Sequence, residues 1–464
     1  MLRLLSETYR VRMGGPAVIE RRRRARLAEM VVFARTRSPY YRRLYRGLPD
    51  RVDDPTRLPV TSKVELMAHF DDAVTDPAVT HEKVRAWGDD PNLAGERFLG
   101  AYLVATTSGS SGTRGLFVMD DRTAAAATAF SVAMMMAFLD TGDILRIVAS
   151  GGRAALIVAT GGHFVGFAGV SRVRRARPRL ARALLLLPAD TPLPEMVAQL
   201  NRSRPAMLGG YAGIIDLLTG EQQAGRLDIH PVFIHPSSEG LGDQKYDRME
   251  RVFQAKVRTA YVATECMPGL AQGCRHRWLH LTSDWCILEP VDSDYRPVPA
   301  GVQSHTVLLS NLANRVQPIL RYDLGDSVLV RPDPCPCGNP MPAIRVQGRV
   351  ADALTFPTPS GDQIVIAPLV LVTLVDRIAG IEQCQIIQTA PAVLRVRLRP
   401  AATADRDRVW QEVHSGIAQL LREQGLAHVE VERAGELPKQ SAGGKYREVI
   451  PLRLEGGLRA TDRR

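Results

Sequence analysis

The sequence predicts an α/β fold, with a large N-terminal α/β domain that includes a β-rich subdomain and a small C-terminal α+β domain. Three observations predict it. Between about residues 144 and 262, strand-like apolar runs alternate with helical segments, the rhythm of parallel strands joined by helical crossovers. From Arg277 to Val330 the pattern turns almost wholly to strand. A Pro- and Cys-rich break at 331–342 then precedes a tail beyond Gly348 of roughly 115 residues, a normal domain size. Domains are therefore expected at 1–348 and 349–464.

In order, residues 1–60 read as helical and basic, with an amphipathic segment from Arg21. In the run from Leu58 to Leu66, Thr61 or Ser62 is the expected helix cap. Phe98–Val104 and Leu116–Met119 read as short strands, and Arg122–Leu139 as an Ala/Met-rich helix. Strands are expected at Ile144–Ala149, Leu184–Leu187, Ala206–Gly209, Val232–His235 and Val257–Val262, with helices at Glu195–Arg202, Gly213–Gly225 and Gln244–Phe253. The β-rich part holds Trp278–Leu281, Cys286–Val291, His305–Leu309 and Ser327–Val330. The tail reads as a hairpin (Ala353–Phe356, Gln363–Ile366) and a helix Pro368–Ile378. Strands Cys384–Ile387 and Leu394–Leu398, a helix Arg406–Gln424 and a strand Val429–Val431 follow.

Composition narrows the function. A chain of 464 residues with 45% hydrophobic and 23% charged residues can bury a large core. The longest apolar run, Ala124–Leu139, is broken by Thr128 and Ser131 and is too short to span a bilayer, so no membrane partner is expected. Met1–Glu7 lacks the apolar stretch of a secretory signal, and six cysteines in so long a chain make no disulfide scaffold; a reducing cytoplasm is the expected setting. The net charge of +11 invites a nucleic-acid reading. It is set aside, because the basic residues are spread along the chain and no aromatic platform interleaves with the clusters at 21–24 and 172–182. Lysine occurs only at 63, 83, 245, 256, 439 and 445.

The stretch most suggestive of chemistry is Thr106-Thr107-Ser108-Gly109-Ser110-Ser111-Gly112-Thr113-Arg114-Gly115. Between two strands it can present backbone N–H groups and small hydroxyls together, which is how proteins hold polyphosphate. It lacks the spacing of a Walker loop. Taken alone, it could equally be an ordinary Ser/Gly turn.

Further stretches align with one family. The chain resembles the adenylate-forming superfamily (acyl-CoA synthetases, adenylation domains, luciferases), and within it the phenylacetate–CoA ligase and capsule-type branch, over nearly its whole length. Ser38-Pro39-Tyr40-Tyr41 and Leu58-Pro59-Val60-Thr61-Ser62-Lys63 are similar to that branch. The resemblance implies that Thr107, Ser108, Gly109, Ser110, Ser111, Gly112 and Thr113 line the pyrophosphate of ATP, with Arg114 where many members have Lys. Ser237-Ser238-Glu239-Gly240 resembles the region beside adenine, a role for Ser238 and Glu239 that a capping turn explains equally well. In Tyr261-Val262-Ala263-Thr264-Glu265, Tyr261 would stack on adenine, Thr264 contact the α-phosphate and Glu265 hold Mg²⁺, for which a carboxylate is a suitable hard ligand. In Arg321-Tyr322-Asp323-Leu324-Gly325-Asp326, Asp326 would accept the ribose hydroxyls, while Asp323 has the wrong spacing. Gly348-Arg349-Val350-Ala351-Asp352 resembles the domain boundary; Arg349 would reach ribose or phosphate, and Ala351 replaces the usual hinge Asp or Lys. Ser441–Arg447 resembles the Gly-Lys loop of the mobile C-terminal domain, where Lys445 would stabilise the adenylation transition state, with Lys439 as the alternative.

Cys274-x5-His280 and Cys335-Pro336-Cys337 supply four soft ligands, enough for a closed structural zinc site, such as some members of the branch carry; unpaired reduced cysteines are the alternative. Cys266, Cys286 and Cys384 read as core residues. The resemblance implies a ligase that joins a small-molecule carboxylate, aromatic by analogy with the branch, to AMP and then to coenzyme A, using ATP and Mg²⁺. The alternative acceptor is an amine or a carrier-protein thiol. Tyr211 and His235 are candidates for the acyl pocket. The oligomeric state is open, and a dimer is compatible with the sequence.

Overall fold

The computed structural model describes residues 10–452 apart from 12, 108–113, 159–162, 164, 177–180, 238–240, 267–268, 350–351, 359–360, 362, 367 and 440–445. The chain forms two compact units, one built almost wholly from residues up to Val346 and the other almost wholly from residues after it.

The first unit begins with helix Gly15–Arg37, which buries Leu27, Met30, Val31 and Ala34. Ser38 caps the next helix, Pro39–Leu44, accepting the amide of Tyr41. Tyr41 and Tyr45 join Leu58, Phe70, Phe117 and Tyr322 in one core. Of the two candidate caps, Ser62 starts helix Lys63–Ala68, its hydroxyl accepting Glu65 N at 3.2 Å. Strands β1 (Leu103–Thr106) and β2 (Leu116–Met119) form an antiparallel hairpin, all eight positions buried. The outer edge of β2 is satisfied by side chains: Gln317 exchanges hydrogen bonds with Val118 N and Leu116 O, and Asn314 donates to Val118 O.

After helix Asp121–Phe138 the structure corrects the sequence reading: 144–149 is not a strand but the body of helix Thr141–Ala149. Asp140 and Asp143 form a reciprocal capping box, and Lys256 binds both carboxylates. β3 (Ala154–Val158), which the sequence reading passed over, lies inside a parallel sheet with β4 (Leu184–Pro188), β5 (Met207–Tyr211), β6 (Phe233–Ser237) and β7 (Lys256–Val257) in the order β4-β3-β5-β6-β7. Helices Leu193–Ser203, Ala212–Gln223 and Asp243–Phe253 connect its strands and bury Met196, Leu200, Ile215, Leu218 and Met249 against Ile157, Leu187, Leu208 and Ile234.

The expected strand 257–262 divides between two sheets. β7 ends the parallel sheet, while β8 (Ala260–Tyr261) joins β9 (Ala271–Gly273) and β10 (Leu279–Leu281) in an antiparallel run. β11 (Cys286–Val291), β12 (Thr306–Asn311) and β13 (Ile319–Asp323) make a three-stranded sheet. β14 (Asp326–Val330) and β15 (Ala343–Arg349) complete the other as β14-β15-β10-β9-β8. Thr61 pairs in parallel with Tyr322, giving β13 a partner from the far N-terminal end of the unit.

The second unit holds hairpin β16 (Leu354–Pro357) and β17 (Gln363–Ile366), helix Pro368–Asp376, and a sheet of β18 (Ile381–Ala390), β19 (Val393–Pro400), β20 (Glu430–Arg433) and β21 (Val449–Ile450) ordered β20-β19-β18-β21. Helix Arg406–Glu423, capped by Asp405, buries Val409, Val413, Ile417 and Leu421 in that unit's core. Among the described residues no helix is long and apolar enough to cross a membrane.

Candidate functional site

The order β4-β3-β5 means that the chain leaves β3 toward one edge of the sheet and returns to build the other half from β5. The crevice beyond the carboxyl ends of two such strands is where α/β sheets take ligands. Tyr211 ends β5 and is buried; His235 lies in the middle of β6, half-buried. Their strands are neighbours, with Gly209 opposite His235 and Tyr211 opposite Ser237. Burial pulls the His235 imidazole below its usual pKa, and its Nδ1 donates to Arg258 O at 2.8 Å, so the neutral ring is fixed. Gly210 is demanded by packing: a Cβ there would meet Ile157 Cβ at 2.7 Å.

The glycine loop is tied at its base. Thr107 N donates to Gly115 O at 3.0 Å, and Gly115 N donates to Thr107 Oγ1 at 2.8 Å. Residues Ser108, Gly109, Ser110, Ser111, Gly112 and Thr113 lie outside the described residues; Thr107 is half-buried. Arg114 is already engaged. Its guanidinium binds the Asp89 carboxylate, Gly88 O and Thr106 Oγ1. His163, which the sequence reading did not single out, is wholly buried beside the loop: its carbonyl accepts Thr106 N and its Nε2 donates to Asp90 O at 2.8 Å.

Two motifs far apart in sequence meet each other. The Tyr261 hydroxyl donates to the Asp326 carboxylate, and the Tyr322 hydroxyl reaches Glu265 Oε1 at 3.3 Å. Glu265 and Asp326 are both buried, and Asn311 Nδ2 holds Glu265 O at 3.1 Å. Thr264 is half-buried next to Glu265. Asp323 takes a different part: its carboxylate accepts Thr306 Oγ1 at 2.6 Å, Gly325 N and the Tyr295 hydroxyl both at 3.0 Å. It thereby fixes the turn, with Gly325 at φ +74°, that presents Asp326. Arg349 closes β15 and is exposed. Ser238, Glu239, Ala351 and Lys445 lie outside the described residues, and Lys439 is exposed.

A second cluster forms at the Cys/His residues. The ligand atoms of Cys274, His280, Cys335 and Cys337 all lie within 4.8 Å of one another. Cys274 Sγ and Cys335 Sγ are 3.7 Å apart, and Cys337 Sγ is 3.1 Å from His280 Nε2. His280 Nδ1 donates to Met341 O at 2.9 Å, leaving Nε2 turned inward, while His276 N and Asn339 N donate to Cys274 and Cys337 sulfurs. Oriented histidine and N–H···S support are the surroundings a metal site needs. Four converging donors could hold a metal ion and leave no open position. Cys266, Cys286 and Cys384 are buried core residues, as expected.

No protein-family model matches the chain. Protein CapK of Staphylococcus aureus is 23% identical over 134 residues, a stretch covering 28% of this chain and 28% of CapK. Among solved structures, a 2-hydroxyisobutyryl-CoA ligase in the postadenylation state, in complex with 2-HIB-AMP, matches 94% of this chain and 89% of its own, at a TM-score of 0.67 and 19% identity. The anthranilate CoA ligase AuaEII in complex with anthranoyl-AMP matches 75% of this chain and 66% of its own, at a TM-score of 0.52 and 14% identity.

Proposed function

We propose that this chain, which has the fold of the adenylate-forming ligases, activates a carboxylic acid as its acyl-adenylate and passes the acyl group to the thiol of coenzyme A. One observation carries the reading: the Tyr261–Glu265 and Tyr322–Asp326 segments interlock at two points, each hydroxyl of one engaging the carboxylate of the other. An aromatic ring beside a buried carboxylate suits an adenosine, the ring for the base and the two oxygens for the ribose hydroxyls. The acyl-AMP held by both solved relatives supports the same use.

In this reading one carboxylate oxygen of the acid bonds to the α-phosphorus while the bond to the β-phosphate oxygen breaks and pyrophosphate leaves. The thiol sulfur then bonds to the acyl carbon and AMP departs. Thr107 with 108–113 lines the pyrophosphate, Thr264 contacts the α-phosphate, Asp326 and Arg349 hold the ribose end, and Ser238 and Glu239 flank adenine. Glu265 is the residue that would hold Mg²⁺, whose charge offsets that of the phosphates. Lys445, in the C-terminal domain that the sequence reading places at 349–464, neutralises charge that builds as the phosphorus is attacked. Tyr211 and His235 line the acyl pocket. The Cys274, His280, Cys335 and Cys337 set holds a structural zinc. The preferred acid is aromatic, following the branch and the anthranoyl-bound relative.

ATP–pyrophosphate exchange with a panel of aromatic and small hydroxy acids tests this. We expect exchange with at least one aromatic acid, and a loss of about a hundredfold or more in Glu265→Gln. Exchange with no acid would overturn the adenylation reading. Trapping the adenylate with coenzyme A, amines and carrier-protein thiols reads the acceptor; turnover with an amine or carrier protein alone overturns the coenzyme A assignment and leaves adenylation standing.

A further inference from the structure

From the last residue of β12 onward, every third position carries a buried carboxamide: Asn311, Asn314 and Gln317 are 1%, 3% and 2% exposed. Two of them serve the β1–β2 hairpin. Asn314 Nδ2 and both polar atoms of Gln317 engage the backbone of β2. Asn311 has a different partner. Its Oδ1 accepts Ala313 N at 2.9 Å and Asn314 N at 3.3 Å, and its Nδ2 donates to Glu265 O at 3.1 Å. With two amide donors on one side and a carbonyl on the other, the side chain has a single orientation. The turn that it caps is itself anchored: Leu312 N donates to Trp285 O at 2.9 Å, and Arg315 N to Asp120 Oδ2 at 3.1 Å.

Glu265 is therefore held at both of its ends. Tyr322, on β13, reaches the carboxylate, while Asn311, on neighbouring β12, takes the backbone carbonyl. Among the described residues no Lys or Arg pairs with this buried carboxylate. A carboxylate buried without a basic partner suits a divalent cation, which supplies the missing positive charge. A neutral amide suits the task of holding its backbone, because it brings a donor and an acceptor together without adding a charge. Groups that orient a metal ligand from behind are worth about 10–100-fold in metal affinity or activity.

We infer that Asn311 is a positioning residue for Glu265, fixing where its carboxylate meets the metal of the bound nucleotide. This rests on the assignment of Glu265 to Mg²⁺ made above. Asn311→Ser keeps an acceptor for the amides of the turn but is too short to reach Glu265 O. Asn314→Ser, three residues on, removes the matching bond to Val118 O and serves as the control. In calorimetry, Mg²⁺ should tighten ATP binding to the wild type and to Asn314→Ser. About tenfold of that tightening should vanish in Asn311→Ser, with the affinity in EDTA unchanged. The kcat for ATP–pyrophosphate exchange should fall about tenfold in Asn311→Ser and hold in Asn314→Ser. With neither nucleotide nor metal present, amide hydrogen exchange at 261–266 should quicken in Asn311→Ser and not in Asn314→Ser. Wild-type tightening and wild-type hydrogen exchange in Asn311→Ser would overturn the inference. So would equal losses of tightening, kcat and Tm in the two variants, which mark amides that only support the fold. Glu265→Gln run alongside separates the two claims. If it keeps the Mg²⁺-dependent tightening, the magnesium assignment fails and the inference with it; if it loses the tightening while Asn311→Ser retains it, only the brace fails.

Discussion

At the scale of single residues, the polar groups buried around the interlocked motifs are matched to partners far away in sequence. Glu289 has the least comfortable position. Its carboxylate lies 3.4 Å from Arg321 Nε, yet burial outweighs that cation and raises its pKa to about 7. Arg321 is shared, since its Nη1 also donates to Leu58 O at 2.6 Å. A carboxyl with a folded pKa above its unfolded value favours the folded state most fully below the unfolded pKa, and that advantage fades as pH climbs through 7. We expect the chain to lose up to about 3 kcal/mol from this source between pH 5 and pH 8. Urea midpoints for the wild type and Glu289→Gln at the two pH values check it: the variant should show the smaller decline, and equal declines would mean that Glu289 is ionised throughout. Tyr261, Glu265 and Asp326 stood out in the sequence by a fixed local spacing. Tyr322, Asn311 and Gln317 carried no such signal, because a buried polar residue becomes meaningful only once its distant partner is known.

At the scale of elements, patterning was legible wherever one period fitted and another did not. The strand at Cys286–Val291 and the hairpin of β16 and β17 stand where the sequence placed them. Helix Thr141–Ala149 escaped because Ile144, Ile147 and Val148 suit either period; the deciding signal was the pair of aspartates three residues apart that caps it. β9 and β13 were missed for another reason. One is three residues long, and the other contains Arg321 at φ +48°, so neither presents a clean apolar run. The β1–β2 hairpin yields a prediction of its own. A methyl on Gly115 would sit 2.6 Å from Phe117 Cε2 and 3.0 Å from Thr107 Oγ1, at the closure of the glycine loop. Gly115→Ala should therefore cost about 1–3 kcal/mol in a denaturation experiment. It should also depress pyrophosphate exchange, whereas unchanged stability and exchange would show that the loop's base can spread at no cost.

At the scale of the whole molecule, the sequence foretold the class of fold and the alternation of its layers, while the assignment of strands to separate sheets emerged only in three dimensions. The Cys/His cluster illustrates this. The sequence named its four residues as one set, but not the sheet that gathers them: they come from the end of β9, from β10 and from the β14–β15 connection, elements of a single sheet. Purified chain is expected to contain about one zinc, released by a thiol-modifying mercurial and measured with a colorimetric chelator. Cys335→Ser should lower both the metal content and Tm; a metal-free chain whose Tm ignores chelators would contradict the assignment.

The parallel pairing of Thr61 with Tyr322 has a practical corollary. Thr61 N donates to Arg321 O and Asp323 N donates to Thr61 O, both at 2.9 Å, along the outer margin of a three-stranded sheet. A fragment beginning after residue 63 would leave that margin bare, one residue from the tyrosine that meets Glu265. Bare margins recruit other chains. Shortening the protein from its front would thus tend to yield clumped material before it yields an inactive monomer.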